Sequence, residues 1–454
     1  MLLKNVTYLD ENFKLATTKY LRIEDGRFVE FTDDLTGSKD NLSGLMGNPV
    51  NYQRAPQRQA AKSRSDKEQI DCTDLLIMPG FYNSHAHSPM SLMRGYGENM
   101  SLNAWLSDKI WPFEAHLNSD SIYWGTMLSM AESIRNGIVS STDMYYFTSD
   151  MVRAYVDAGV KGNISRALVN FDGTYYTEME SFKEMETAYK DFNGYRDGRI
   201  IIEASIHGEY TSDEQTVRGI AEYAGAHGMR MHIHLSETRE EHENCVLKRK
   251  MTPCEYFAEC GLLDVPTTAA HCVWVTDSDI DILREKKATV SHNPQSNLKL
   301  ASGIAPVYKI MNKGVRVAIG TDSVASNNSL NFFEAMKLTG LIAKISTMDP
   351  RVLSPEDILT SATRNGALAQ GREDCGAIKE GFRADFIAVN LKDSCMNPIH
   401  EITNNLVYSG DPSIIKMTVC DGELLYKDGE FTKFDIDEVI ANANRETERI
   451  LQLV

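Results

Sequence analysis

Two hydrophobic patterns divide this chain. Residues 1–32 alternate apolar and polar positions through Leu2, Val6 and Tyr8, then through Leu21-Arg22-Ile23, with Asp25-Gly26 standing just before Phe28-Val29. Period-two alternation marks strands with one buried face, and an Asp-Gly step between two such runs marks a hairpin. The same style returns late, in Phe386-Ile387-Ala388-Val389, in 417–426, and before a further Asp-Gly at 428–429. Both ends of the chain therefore predict parts of one small β-sandwich. Between them, short apolar runs alternate with longer segments of helical period, the βα rhythm of a parallel barrel. Eight barrel strands are predicted, near 76–85, 139–146, 160–169, 200–207, 229–236, 267–273, 288–293 and 315–322. Helices are predicted between them, for example over 123–136 and 213–226, and an amphipathic helix over 436–452. The predicted fold is α/β: a (β/α)8 TIM barrel over 76–377, with a β-sandwich built from 1–75 and 378–454, the latter including the terminal helix.

Residues 34–70 interrupt this scheme. They are polar apart from Leu35, Leu42, Leu45 and Met46, and they carry Arg54, Arg58, Lys62 and Arg64. A stretch this long without its own pattern is uncommon inside a compact domain. It reads as a surface insertion, with a subunit contact or an active-site lid as the functional alternatives.

Composition narrows the setting. The 454 residues suit a barrel plus a second module, and 42% hydrophobic content is enough for a large core. A formal charge of −17 argues against nucleic acid or an anionic membrane as partner. Eight scattered cysteines without a C-x-x-C read as reduced thiols of a cytoplasmic protein. Lys4, Asp10 and Glu11 interrupt any secretory signal, and no apolar run is long enough to span a membrane. A small-molecule substrate and a homo-oligomer of at least two copies are expected.

The chemistry gathers where apolar runs end. In Pro79-Gly80-Phe81-Tyr82-Asn83-Ser84-His85-Ala86-His87, two histidines stand one residue apart after the run Leu75–Pro79, and residues i and i+2 of a strand face one side. His234, His271 and Asp322 end later runs in the same way. Metal-type residues at successive strand ends are what a barrel active site requires. His85, His87, His234 and Asp322 offer three imidazoles and a carboxylate, a donor set suited to one divalent ion, Zn2+ or alternatively Fe2+. A second metal would want a lysine at the strand ends near 169 or 207, and there is none. Glu237 follows His234 by three residues, placed for proton transfer beside a metal-bound water. His207 ends the fourth run and is a substrate-contact candidate, and His292 is a candidate to orient a ligand from behind. His116, His227, His242 and His400 lack such context.

At these residues the chain resembles the amidohydrolase superfamily, and more narrowly its adenosine-type deaminases acting on 5′-methylthioadenosine and S-adenosylhomocysteine, with triazine hydrolases as neighbours. The resemblance covers nearly everything except 34–70 and is carried by PGFYNSHAH, WPFEAHL, HIHLSET, VSHNPQSNLKLASGIAPV, GTDSVASNN and GAIKEGFRADFIAVNL. It implies metal ligands at His85, His87, His234 and Asp322, a proton-shuttling Glu237 that also touches substrate, and a catalytic His271, with Asp322 sharing the catalytic role. It further implies substrate contacts by Glu114 on ribose hydroxyls, by Arg166 and by His207. The implied reaction is hydrolytic: the metal brings bound water towards a neutral pKa, Asp322 and His271 take its proton, and Glu237 protonates the ring nitrogen beside the amino-bearing carbon. Ammonia leaves and an inosine-type product remains.

One departure bears on substrate. The family pattern has a second arginine about a dozen residues after the first, whose grip on a carboxylate would be bidentate. Here 171–185 contains none and carries Asp172, Glu178 and Glu180. That favours less charged nucleosides, or a different amino-heterocycle such as guanine, a pterin or a triazine, the last with chloride as leaving group. Glu114 argues for a ribose. A silent binding protein on the same fold would have lost ligands, and every one is intact.

Overall fold

The computed structural model describes residues 1–35, 69–100 and 102–454. The expected insertion at 34–70 lies mostly outside the described residues, and its last two residues enter the short strand Gln69–Asp71.

Eight parallel strands run in chain order as Phe81–Ala86, Ile138–Met144, Lys161–Ser165, Ile200–Ile206, Met231–Leu235, Thr267–His271, Thr289–His292 and Arg316–Ile319. The eighth returns to the first: the Asp322 amide donates to His85 O (2.9 Å) and the Thr321 amide to Asn83 Oδ1 (2.9 Å). All eight expected strands exist, several ending before their apolar-polar run does. The expected helices are present as Ser119–Arg135, Glu214–His227 and Ile436–Leu451. The barrel core is aliphatic and aromatic, including Ile164, Ile202, Ile233, Val290 and Val317.

The termini build a separate nine-stranded mixed sheet. Three Asp-Gly steps, Asp25-Gly26, Asp421-Gly422 and Asp428-Gly429, turn its hairpins, and all six residues have positive φ. That is the conformation two-residue hairpin turns demand, which Gly and Asp tolerate. The sheet curls back on itself. Phe28, on the outer strand Arg27–Thr32, donates through its amide to Phe382 O (2.9 Å), and its ring lies 6.0 Å from that of Phe386. Leu3, Val6, Leu21, Ile77, Phe386 and Val419 fill the space between.

The run read as one strand over 76–85 is two strands. Leu75–Pro79 belongs to the terminal sheet, paired with Leu2–Leu9 and antiparallel to Phe386–Asn390. Phe81–Ala86 is the first barrel strand. The break is Gly80, where a Cβ would lie 2.5 Å from Val139 Cγ1, so only glycine lets the chain pass from sheet to barrel here. Beneath the barrel, buried Lys161 joins the two parts, pairing with Asp385 and with Asp421 (2.6 Å) of the terminal sheet. The lysine of the third strand thus stands at the end opposite the candidate site, as part of a structural ion cluster.

Candidate metal centre and active site

His85 lies in the first barrel strand and His87 just beyond it; His234 is in the fifth, His271 ends the sixth, and Asp322 lies three residues past the eighth. His271 (φ 74°), Asp322 (φ 61°) and Ser236 (φ 47°) adopt left-handed backbone where the chain turns out of the barrel. Such conformations in non-glycine residues persist only when the surroundings enforce them, and they gather at functional sites.

The hydrogen bonds fix which imidazole nitrogens face inward. His87 Nδ1–H donates to Met144 O (2.6 Å) and His234 Nδ1–H to His207 O (2.8 Å). His271 Nδ1–H donates to Asn297 Oδ1 (2.8 Å), and His85 Nδ1 pairs with His232 Nε2 at 2.8 Å. Every Nε2 is thereby directed at one point. His87 Nε2 and His234 Nε2 face each other at 3.3 Å, and Asp322 Oδ1 is 3.4 Å from His85 Nε2 and 3.3 Å from His87 Nε2. The buried His85 Nε2 has no hydrogen-bond partner. Two lone pairs confronting each other beside a carboxylate repel unless a cation lies between them, so these residues fit a divalent metal. The donor atoms of His85, His234 and His271, and those of His85, His87 and Asp322, lie within 4.8 Å of one another.

The electrostatics differ from one candidate ligand to the next. Burial pushes the His85 pKa down to about 3 and that of His234 well below its ordinary value, so both stay neutral ligands. Burial opposes charge on His87, but Asp322 outweighs it and raises its pKa. Burial likewise opposes ionisation of Asp322, yet His85 and His87 hold its carboxyl well below the usual range. Ser296 Oγ (2.5 Å) and Ser326 Oγ (3.3 Å) donate to Asp322 Oδ2.

Glu237 Oε2 lies 3.7 Å from His271 Nε2, and Glu237 Oε1 accepts from Ser302 Oγ (3.1 Å). His271 Nε2 is 4.0 Å from Asp322 Oδ2, so the three expected catalytic groups adjoin. They line the floor of a cavity whose wall includes Glu114, Arg166 and His207. Glu114 comes from the helical stretch 102–114, which contains a wide π-type turn over Leu106–Ile110. Burial raises its carboxyl pKa, and Tyr145 OH (2.6 Å) and Tyr146 OH (3.3 Å) donate to it. Arg166 Nε donates to Glu184 Oε2 (2.9 Å), and its guanidinium lies 4.5 Å from the Tyr146 ring centroid. His207 is half-buried, with its Nδ1 shielded and unpartnered, and desolvation lowers its pKa to about 4.

Sequence reasoning missed several neighbours. His232 is the partner that orients His85, although it shares with His234 the i, i+2 spacing that singled out His85 and His87. His292, expected in such a role, is buried with neither ring nitrogen hydrogen-bonded. Asn297, Ser296 and Ser326 brace His271 and Asp322, and Tyr145 and Tyr146 brace Glu114. These residue types carry no signal until the loops are folded.

Residues 76–425 match the amidohydrolase family. The chain is 38% identical over 375 residues to a 5′-deoxyadenosine deaminase of Methanosphaera stadtmanae, covering 82% of this chain and 88% of that protein. It is 38% identical over 376 residues to a 5-methylthioadenosine/S-adenosylhomocysteine deaminase of Dictyoglomus thermophilum, covering 83% and 88%. Among solved structures, a zinc-bound adenosine deaminase from Xanthomonas campestris superposes with a TM-score of 0.87 at 25% identity, over 99% of this chain and 98% of that one.

Proposed function

The chain belongs to the amidohydrolase family, and from that premise we propose that it is a metal-dependent hydrolytic deaminase of adenosine-type nucleosides. The observation that carries the reading is the convergence of inward-facing imidazole nitrogens and Asp322 on one point, with Glu237 and His271 beside it at the floor of a cavity walled by Glu114, Arg166 and His207. His85, His87, His234 and Asp322 are the residues we assign as ligands, and zinc as the ion. The imidazole-rich donor set supports zinc, as does the metal in the Xanthomonas enzyme.

When bound, the metal supplies Lewis acidity that brings the pKa of a coordinated water towards neutrality. The rest falls to side chains. Asp322 and His271 receive the proton of the attacking water as its oxygen bonds to C6 of the adenine. Glu237 gives its proton to N1, so no anion builds up on the ring. The C6–N bond then breaks, the amino nitrogen takes the proton held by His271 and Asp322, ammonia leaves, and Glu237 takes back the proton of the C6 hydroxyl as the carbonyl forms. Glu114 would accept from ribose hydroxyls, with its two tyrosines holding it in place. His207 and Arg166 would line the rest of the substrate. The −17 charge and the reduced cysteines support a cytoplasmic enzyme without nucleic-acid or membrane partners. No helix among the described residues is long and apolar enough to cross a membrane. We also assign a homo-oligomer, measurable by light scattering.

The test is ammonia release by zinc-loaded protein from adenosine, 5′-deoxyadenosine, 5′-methylthioadenosine, S-adenosylhomocysteine, adenine, guanine and a chlorotriazine. Turnover of nucleosides alone supports the reading. Silence on every nucleoside, with turnover of guanine or the triazine, replaces it with a deaminase or chlorohydrolase of a bare ring.

A further inference from the structure

Arg166 is the one lysine or arginine on the cavity wall among the described residues, and its charge is already engaged. Its Nε donates to Glu184 Oε2 (2.9 Å) and its Nη1 to Ala167 O (2.9 Å), while its plane rests on Tyr146. Glu184 is itself held firmly. Its Oε1 accepts from the Thr148 amide (2.6 Å) and Thr148 Oγ1 (3.0 Å), where the helix Thr148–Ala158 begins. A carboxylate fixed at a helix N-terminus is favourably placed, so it gives up its arginine reluctantly. Towards the mouth the wall becomes apolar while open to solvent: Trp111 is 55% exposed, Tyr210 47% and Val169 37%.

A nucleoside that reaches the floor with its reactive ring carbon points its sugar outward, and its 5′ substituent meets this rim. We infer that Glu184 is a specificity-determining residue which, by neutralising Arg166, restricts the enzyme to nucleosides whose 5′ position bears a neutral, apolar group. Hydrogen or methylthio qualifies. A substituent ending in a carboxylate must displace Glu184 from Arg166 or remain unpaired against aromatic and aliphatic side chains, and a site built this way discriminates against it. The inference rests on the nucleoside-deaminase reading above.

The test compares kcat/KM for 5′-deoxyadenosine and S-adenosylhomocysteine in wild type and in Glu184→Gln, both zinc-loaded. The ratio of the two constants, taken on one preparation, does not depend on the fraction of active protein, so partial misfolding leaves it readable. Wild type is expected to favour 5′-deoxyadenosine at least tenfold, and Glu184→Gln to narrow that preference at least fivefold, chiefly through a lower KM for S-adenosylhomocysteine. If Glu184→Gln is inactive, Val169→Arg supplies a free cation at the rim and should narrow the preference likewise. Equal or greater efficiency of wild type on S-adenosylhomocysteine overturns the inference. So does a preference unmoved in the active variant. Absence of turnover on both nucleosides by wild type instead sinks the deaminase reading itself.

Discussion

Replacing His232 by leucine should weaken metal binding without touching a ligand. His85 is neutral at physiological pH because burial pushes its pKa down to about 3, so its ring carries one proton and has two tautomers. Only the tautomer protonated at Nδ1 leaves Nε2 free for a metal, and that proton is donated to His232 Nε2 at 2.8 Å. In His232→Leu the donor is left buried without a partner, a penalty of about 1–3 kcal/mol. The tautomer protonated at Nε2, which presents a hydrogen to the metal, becomes competitive. Affinity should therefore fall roughly tenfold to a hundredfold, the range found when such supporting partners are removed. His232→Gln keeps a side-chain acceptor and should lose less. The assay is competition for zinc against a chromogenic chelator, with metal per chain counted after dialysis and a thermal melt of metal-free protein as the control for folding. Zinc held by His232→Leu as tightly as by wild type would refute the tautomer argument.

Three further outcomes are expected. Glu237→Gln should keep its zinc but lower kcat by about 10²–10⁴-fold, the usual worth of a positioned proton donor; a loss confined to KM would remove Glu237 from the chemistry. Stripping the metal with a chelator should abolish ammonia release and lower the melting temperature, both restored by zinc, since saturation at about a thousand times Kd stabilises by about 4 kcal/mol; a metal-free protein that turns over at full rate contradicts the site. Asp385 is buried, which opposes its ionisation, but Lys161 overrides this and pushes its pKa to about 2 from an ordinary 3.8. A depressed carboxyl contributes stability above its unfolded pKa and loses it as pH falls through the folded one. Asp385→Asn, which leaves Lys161 buried with one partner fewer, should lower stability by about 3–5 kcal/mol near neutrality and flatten the acid limb between pH 4 and 2, as read by urea titration across pH.

The legible parts of this protein were those in which chemistry and periodicity coincide. Asp-Gly steps between alternating runs announced the hairpins because so few residues tolerate consecutive positive φ. His85, His87, His234, His271 and Asp322 stood out because polar side chains at the ends of apolar strands must be there for a reason. Gly80 was not legible as a boundary: Leu75–Pro79 before it and Phe81-Tyr82 after it are both apolar, and only the approach of Val139 reveals that the chain leaves one sheet for another. Lys161 and Asp385 lie far apart in sequence on unremarkable strands, and nothing local links them. Glu184 carries no local signal, because its meaning depends on Arg166 and Thr148 arriving from two other elements.

The terminal sheet gives the chain an awkward childhood. Leu75–Pro79 leaves the ribosome long before its antiparallel partner Phe386–Asn390. At ordinary translation speeds of about 5–20 residues per second, the intervening barrel takes roughly 15–60 s to emerge. Throughout that interval the nascent strands expose Leu3, Val6, Leu21 and Ile77 with nothing from the C-terminal half to cover them. Chaperone dependence and aggregation during overexpression should therefore respond more to substitutions on that early sheet face than to changes of equal severity within the barrel, because only the former waits for the last part of the message to be read.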